Sequence, residues 1–344
     1  MRGVIRRLAL LLCAPLLLCA PAAASSKRML DPPSRDEIGV GPAWIPDVML
    51  RQAEAPTGFW GGAYTTKTNE QVTIYSSNAY AVDEAANQRW ADFVASLVHG
   101  PEISRVTIYL APPAQVAQMC GAEDILGCYG SDRIIAPGED TFEVSAESVL
   151  THEYGHEIAA NRSNAPWPAL AWGTKRWSSY EQVCRRARAH ELFPGGEGGL
   201  VYLFNPGEVF AETYRVLNER RAGLPETPWR VVDPSLQPNE RDLALVEQDV
   251  LDPWHASHTV TMSGRFTARG SSVRTFTIAS PLDGSFSVAA KGSARVRLAV
   301  LAGKKRIARG ETAVSSTICG PRTLKVRVTR TAGSGAFTLT ASLP

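Results

Sequence analysis

From Thr259 to the C terminus the sequence is a series of short runs in which apolar and polar residues alternate. Alternation with a period of two gives a strand one apolar and one polar face, so each run is expected to form a half-buried strand. Gly and Ser separate the runs, which read TVTMSGRFTA, SVRTFTIAS, SFSVAA, ARVRLAVLA, KRIARGE, TLKVRVTR and GAFTLTASL. Short strands with frequent turns predict an all-β antiparallel sandwich, which we assign to residues 256–344.

The part of the chain before the sandwich has a mixed pattern, with β-branched runs alternating with stretches of helical apolar spacing. The 344 residues are enough for two domains. We therefore predict an α+β domain over residues 66–255, preceded by an N-terminal extension over 25–65. The predicted strands of this domain are 72–75, 105–112 and 133–137, and the predicted helices are 82–100, 145–161, 178–191 and 206–222.

The first 24 residues have the order of a secretory signal peptide. A basic start with Arg2, Arg6 and Arg7 is followed by an apolar stretch over 8–18 and by small residues at 22–24. A buried helix would be equally apolar but would not require this order. We expect a secreted protein, extracellular or periplasmic, after removal of residues 1–24. No later apolar run is long enough to span a bilayer, so no transmembrane anchor is expected.

Four cysteines remain after removal of the signal peptide, which favours two disulfides in an exported chain. Cys120 and Cys128 lie at the two ends of a short Gly-containing loop, and we pair them. By elimination, Cys184 is then paired with Cys319.

The formal charge of +2 conceals two halves of opposite charge. Residues 259–344 contain 14 Lys and Arg against Asp283 and Glu311 alone, whereas residues 25–258 contain 19 Lys and Arg against 32 Asp and Glu. The basic sandwich could bind an anionic surface such as the cell envelope, dock on its own acidic neighbour, or be a solvated face without a partner. No nucleic-acid partner is expected.

The sequence THEYGHE at 151–157 contains the H-E-x-x-H pattern. On a helix, His152 and His156 lie one turn apart on the same face, so both imidazoles can reach one Zn²⁺ ion. Glu153 lies beside them and can take a proton from a metal-activated water. Ser145 is the predicted N-cap of this helix. Gly155 costs helix stability, so another segment is expected to pass close to it.

A third metal ligand must come from elsewhere in the chain. The metzincin pattern would need a His at position 162, and this chain has Arg162. A later helix, with Asn205 as its N-cap and Pro206 at its first position, carries Glu208 and Glu212 on one face. Glu208 could instead be a capping-box acid of that helix. His190, Glu191 and Glu197 are rival ligands.

HEYGH followed by GEVFAE resembles the gluzincin peptidases, in particular their lethal-factor-like branch, over about residues 70–222. The resemblance implies a zincin-like catalytic domain with Glu208 as the third zinc ligand and Glu212 supporting a ligand His. It also implies a transition-state donor in the position of Tyr202, although Tyr202 could instead pack in a core. CYGSDRIIAPGED, at 128–140, matches the edge strand that pairs with an extended peptide substrate, or it is an ordinary hairpin strand.

The stretch from Cys319 to GSGAFTLTASL resembles the bacterial pre-peptidase C-terminal domain, a β-sandwich attached to secreted hydrolases. The leading hypothesis is therefore a secreted zinc endopeptidase that acts on protein or peptide substrates. The alternative is an inactive zincin scaffold that attaches to an anionic surface through its basic sandwich, although the retained Glu153 speaks against it. Hydrolysis of a non-peptide substrate such as a cell-wall cross-link also stays open.

Overall fold

The computed structural model describes residues 56–123, 125–142, 144–224, 227, 234–320 and 322–344. The predicted signal peptide and residues 25–55 of the predicted N-terminal extension lie outside the described residues. No helix in the described part of the chain is long and apolar enough to cross a membrane.

A five-stranded mixed sheet forms the framework of the N-terminal half, in the order β1-β2-β3-β5-β4. Strands β2, β3 and β5 are parallel to one another, and the outer strands β1 and β4 are antiparallel to their neighbours. β1 lies within the segment assigned to the N-terminal extension, so the sheet begins before residue 66; the domain limits themselves stay predictions. The strands are β1 (Phe59–Thr65), β2 (Gln71–Ser77), β3 (Thr107–Ala111), β4 (Cys128–Tyr129) and β5 (Arg133–Pro137). A separate antiparallel pair follows in the chain, formed by β6 (Ser163–Asn164) and β7 (Trp167–Pro168).

Helices pack against this sheet. The segment predicted as one helix over 178–191 is two short helices, because Gln182 adopts a left-handed conformation with φ 56° between them. The second, fourth, seventh and last helices were not anticipated; the last one begins with a capping box between Asn239 and Asp242. The helices are α1 (Glu84–Ser96), α2 (Pro113–Cys120), α3 (Ala146–Ala160), α4 (Ala169–Trp172), α5 (Lys175–Tyr180), α6 (Val183–Arg188), α7 (Gly199–Tyr202), α8 (Pro206–Ala222) and α9 (Glu240–Leu251).

Helices α3 and α8 pack closely in the centre of the N-terminal half. Both are buried over most of their length, since α3 also lies against β5 and α8 against α9. A Cβ at Gly155 would lie 2.8 Å from the Ala211 Cα, so α3 can approach α8 this closely only with glycine at that position. The close approach expected at Gly155 is confirmed, and the passing segment is α8.

The C-terminal half consists of two four-stranded antiparallel sheets, in the orders β13-β10-β15-β8 and β12-β11-β14-β9. Alternate side chains of both sheets meet in a separate apolar core that includes Leu298, Val326 and Leu339. The predicted fold class, a mixed α/β region followed by an antiparallel sandwich, is therefore confirmed. The strands are β8 (His258–Phe266), β9 (Val273–Ser280), β10 (Gly284–Gly292), β11 (Arg295–Ala302), β12 (Lys305–Gly310), β13 (Ala313–Ile318), β14 (Arg322–Ala332) and β15 (Gly335–Leu343).

Covalent and polar contacts join the sandwich to the helices. Both predicted disulfides are confirmed: Cys120–Cys128 links α2 to β4, and Cys184–Cys319 links α6 to the end of β13. Beside the second disulfide, the backbone nitrogen of Asp283 donates to the Ser179 hydroxyl at 2.9 Å. Lys175, only 1% exposed, donates to the Ala165 carbonyl and has its ammonium 4.4 Å from the ring centre of Trp254.

Candidate metal centre

Helix α3 presents the H-E-x-x-H residues to a cleft. Its N-terminus is capped as predicted, since the Ser145 hydroxyl accepts from the Ser148 backbone nitrogen at 3.2 Å. His152 and His156 are one turn apart, and their Nε2 atoms lie 3.2 Å from each other. The helical geometry on which the motif depends is therefore present.

Helix α8 contributes the acidic residues. Asn205 caps it by accepting from the Gly207 backbone nitrogen at 3.0 Å, and Pro206 is its first residue. This start directs Glu208 towards α3, where its Oε2 lies 3.2 Å from His152 Nε2 and 3.4 Å from His156 Nε2. The Glu208 carboxylate thus lies in the position of a ligand.

Three donor atoms therefore form a nearly equilateral triangle: the Nε2 atoms of His152 and His156 and the Oε2 of Glu208. Each of these three side chains offers one ligand atom, and in the described part of the chain these atoms all lie within 4.8 Å of one another. Imidazole nitrogen and carboxylate oxygen are common ligands of divalent metals, so the group could hold a metal ion.

Glu212 determines which atoms of His152 are available to such an ion. Its Oε1 lies 3.2 Å from His152 Nδ1. An ionised carboxylate only accepts, so Nδ1–H must be the donor, and in the neutral imidazole Nε2 then carries a lone pair. This lone pair faces the oxygen of Glu208 and the Nε2 of His156. In this tautomer His152 Nε2 can bind a cation at the centre of the triangle.

Glu212 is itself held by an ion-pair network along α8. Arg215 donates to the Glu212 carboxylate at 2.6 and 2.7 Å and to Glu219 at 2.6 Å. Glu219 in turn accepts from Ser148 of α3 at 2.6 Å. The network therefore connects α8 to α3 below the metal site. Sequence reasoning missed it, although the spacing of Arg215 three residues after Glu212 and four before Glu219 was a usable signal.

Glu153 lies in the same cleft, beside the triangle. A Cβ at Gly127 would lie 2.9 Å from Glu153 Oε1, so the segment before β4 packs directly against this carboxylate. Tyr129 of β4 also lines the cleft, and its ring stacks on that of His156 with centroids 6.4 Å apart. Sequence reasoning singled out neither Gly127 nor Tyr129, because both contacts join segments that are distant in sequence.

Burial opposes charge on every ionisable group of the centre, and at four of the five groups the pairing of opposite charges outweighs it. For His152 and His156, the nearby carboxylates outweigh burial and raise the pKa. For Glu208, the two imidazoles outweigh burial and hold the pKa well below its usual value. Burial raises the pKa of Glu212, but His152 and Arg215 outweigh it and lower the pKa to about 2. Burial raises the pKa of Glu153.

Tyr202, at the end of α7, lines the cleft opposite α3. Its side chain is 40% exposed overall. Burial and the charges of Glu208 and Glu153 raise the pKa of its phenol. The structure thus brings Tyr202 together with the other predicted site residues and does not bury it in a core.

The rival ligands do not join the triangle. Glu197 lines the cleft, and burial of its carboxyl together with the charge of Glu208 raises its pKa to about 7. Glu191 lies 3.7 Å from Arg186 in an ion pair. His190 is exposed just after α6.

The cleft has a volume of about 780 Å³. One wall is formed by residues 125–129, which include β4, the outermost strand of the mixed sheet. The predicted edge segment over 128–140 thus contains two strands, of which only β4 lies at the edge, while β5 is paired on both sides.

Comparisons with known proteins assign no family. No model of a known protein family matches the chain, and no curated protein matches it. One similar solved structure is Aeromonas hydrophila PliG, a periplasmic lysozyme inhibitor of g-type lysozyme, with a TM-score of 0.22 and 16% identity over 25% of this chain and 86% of that chain. Another is the pre-peptidase C-terminal domain of collagenase from Bacillus anthracis, with a TM-score of 0.20 and 15% identity over 24% of this chain and 88% of that chain. These similarities carry no weight for function.

Proposed function

We propose that the chain is an exported zinc-dependent endopeptidase of the gluzincin type. The observation that carries the proposal is the convergence of His152, His156 and Glu208 on one point of an open cleft, with Glu153 beside them. The two disulfides agree with export, since disulfides persist in oxidising compartments.

The donor triangle has the dimensions that zinc requires. Zinc bonds of about 2.0–2.1 Å in a tetrahedron place neighbouring donor atoms roughly 3.3–3.4 Å apart. The three sides of the triangle measure 3.2, 3.2 and 3.4 Å. Three protein residues would hold the ion, which is the number typical of catalytic zinc sites.

When bound, zinc supplies Lewis acidity and lowers the pKa of water to about 7. Glu153 accepts the proton of the attacking water and passes it to the leaving amine. Glu212 fixes the orientation of the His152 ring and makes it a better donor. The phenol of Tyr202 is protonated at neutral pH, so it can donate a hydrogen bond to the oxyanion that forms during attack.

The cleft supports an extended peptide as the substrate. The outer edge of β4 has backbone groups that are not used by β5, so a peptide in the cleft can add to this edge by main-chain hydrogen bonds. Apolar side chains of the cleft, including Leu126, Val149 and Leu170, offer contacts to the side chains of the substrate. The wall of the cleft thus binds the peptide chain alongside the hydrolytic residues.

The test combines metal content with hydrolysis. Zinc per mole of protein is measured, and cleavage of a mixed peptide library is compared between the wild type and Glu153→Gln. We expect one zinc per chain in both proteins and cleavage by the wild type alone, because Glu153 does not ligate the metal. Glu147→Gln, in the first turn of the same helix, is the matched control and should retain activity.

Two results would redirect the proposal. One zinc per chain with no cleavage by the wild type would favour the inactive binding scaffold, or a non-peptide substrate if a cell-wall cross-link were hydrolysed instead. Protein without zinc after loading and dialysis would overturn the metal site itself.

A further inference from the structure

The outer face of the sheet β12-β11-β14-β9 carries a cluster of cations. Along β11 and β14, every second side chain points into the sandwich core, and Leu298, Val300 and Val326 are fully buried there. The alternate positions therefore face outwards, and all five basic residues are exposed. We call this set the basic face: Arg297, Arg306, Arg309, Lys325 and Arg327.

Strand register determines the spacing of these charges. On β11, Ala299 pairs with Arg309 of β12 on one side and with Arg327 of β14 on the other. Leu301 pairs in the same way with Arg306 of β12 and Lys325 of β14. Strands lie about 4.8 Å apart and two residues along a strand span about 6.7 Å. Four charges therefore stand at the corners of a rectangle of roughly 10 by 7 Å at the level of the backbone.

The basic face has no counter-charge in the described part of the chain. None of its side chains forms an ion pair there, and β9, β11, β12 and β14 contain no Asp or Glu. Of the two acids of the sandwich, Asp283 is buried at the junction with the helices and Glu311 follows β12. Because the five cations are exposed, they are accessible to a partner.

The surroundings of the cations indicate the shape of the partner. Thr275, Thr277 and Ala299 occupy the same face and are short, so nothing projects beyond the long basic side chains. The face is a broad sheet surface and not a groove, and it presents no aromatic ring. Single-stranded nucleic acids are bound with stacking aromatic residues, and a linear polyanion is usually enclosed by a groove. A two-dimensional array of cations is complementary to a plane of anionic groups.

We propose that the basic face binds the phosphate headgroups at the surface of an anionic phospholipid bilayer, with no insertion into the bilayer. Binding there would hold the protein at a membrane surface. This proposal does not depend on the metal centre, and it can succeed or fail independently of the peptidase activity.

The experiment uses the full mature chain and phospholipid vesicles. Sedimentation with vesicles of phosphatidylcholine alone is compared with sedimentation with vesicles that contain one third phosphatidylglycerol. We expect binding only to the anionic vesicles and a steep loss of binding as salt is added. Each basic residue near an anionic surface contributes about fivefold in affinity, so R309Q/K325Q/R327Q should weaken binding about a hundredfold.

A matched control removes the same net charge elsewhere on the sandwich. Arg265, Arg269 and Lys291 are exposed on the other sheet and the β8–β9 turn, so R265Q/R269Q/K291Q should bind within a few-fold of the wild type. Equal losses in the two variants would overturn the assignment to this face. Absence of binding to anionic vesicles, or retention on heparin or duplex DNA without vesicle binding, would overturn the lipid surface as the partner.

Discussion

Gly155→Ala tests whether the distance between α3 and α8 determines the metal centre. The added Cβ would lie 2.8 Å from the Ala211 Cα, 3.1 Å from its carbonyl oxygen and 3.2 Å from its Cβ. Carbon atoms that are not bonded approach to about 3.5 Å, so the helices must separate by roughly 0.7 Å at this point.

The separation acts directly on the ligands. Gly155 precedes His156 on α3, and Ala211 lies three residues after Glu208 on α8. Metal–ligand distances tolerate changes of about 0.2 Å, so a shift several times larger must strain the site. We expect zinc affinity to fall by about tenfold to a hundredfold, the range seen when supporting groups of zinc sites are altered.

The effect on stability distinguishes packing from helix propensity. Propensity alone makes Ala more stable than Gly inside a helix by about 1 kcal/mol. Overpacking of a close contact costs about 1–3 kcal/mol. We therefore expect the free energy of unfolding to fall by up to about 2 kcal/mol, the reverse of what propensity requires.

Competition with a chromogenic chelator measures zinc affinity, and urea unfolding in the presence of chelator measures stability. Gly62→Ala is the matched control, because a Cβ there meets no atom within 4 Å. Adding Ala211→Gly to Gly155→Ala relieves one of the three close contacts and should restore part of the zinc affinity. A Gly155→Ala protein that binds zinc like the wild type and is more stable would refute the reasoning.

Three further predictions concern individual ionisable residues. Glu208→Ala should abolish zinc binding, whereas Glu212→Ala should weaken it by about tenfold to a hundredfold; the reverse order in zinc content would identify Glu212 as the ligand. Burial lowers the pKa of Lys175 from 10.5 to about 8, so the unfolded chain binds more protons between these values and stability rises there with pH. Urea unfolding between pH 8 and 10.5 should show the free energy of unfolding of the wild type rising by about 3 kcal/mol relative to that of Lys175→Met. Equal pH dependence of the two free energies would contradict this prediction. Arg162→Met should lower the free energy of unfolding by about 3–5 kcal/mol, because it removes the guanidinium that lies 2.9 Å from the buried Glu102 carboxylate. A loss under about 1 kcal/mol would show that Glu102 does not depend on this ion pair.

The local features of the chain were accessible from its sequence. The caps at Ser145 and Asn205 and the helical spacing of His152 and His156 depend on neighbouring residues, and the structure contains them all. The alternation from Thr259 onwards likewise predicted the sandwich, because period-two patterning leaves an antiparallel sheet as the way to bury the apolar faces.

Short and context-dependent elements were not accessible. The break of the predicted helix at Gln182 has no sequence signal, since a non-glycine residue there adopts a left-handed conformation only within the folded surroundings. β4 has two residues and is stabilised as a strand by β5 and by the Cys120–Cys128 disulfide, not by its own pattern.

By itself, the sequence predicted the candidate metal ligands and the sandwich: two imidazoles one helical turn apart, later carboxylates that could join them, an export signal as an expectation, and a sandwich with an excess of positive charge. The tertiary structure decided which later acid completes the metal group, since the close packing at Gly155 and Ala211 brings Glu208 rather than Glu197 to the imidazoles. It also decided that five of the basic residues of the sandwich lie on one exposed sheet face. Distances between segments far apart in sequence depend on how whole elements pack, and no local pattern records them.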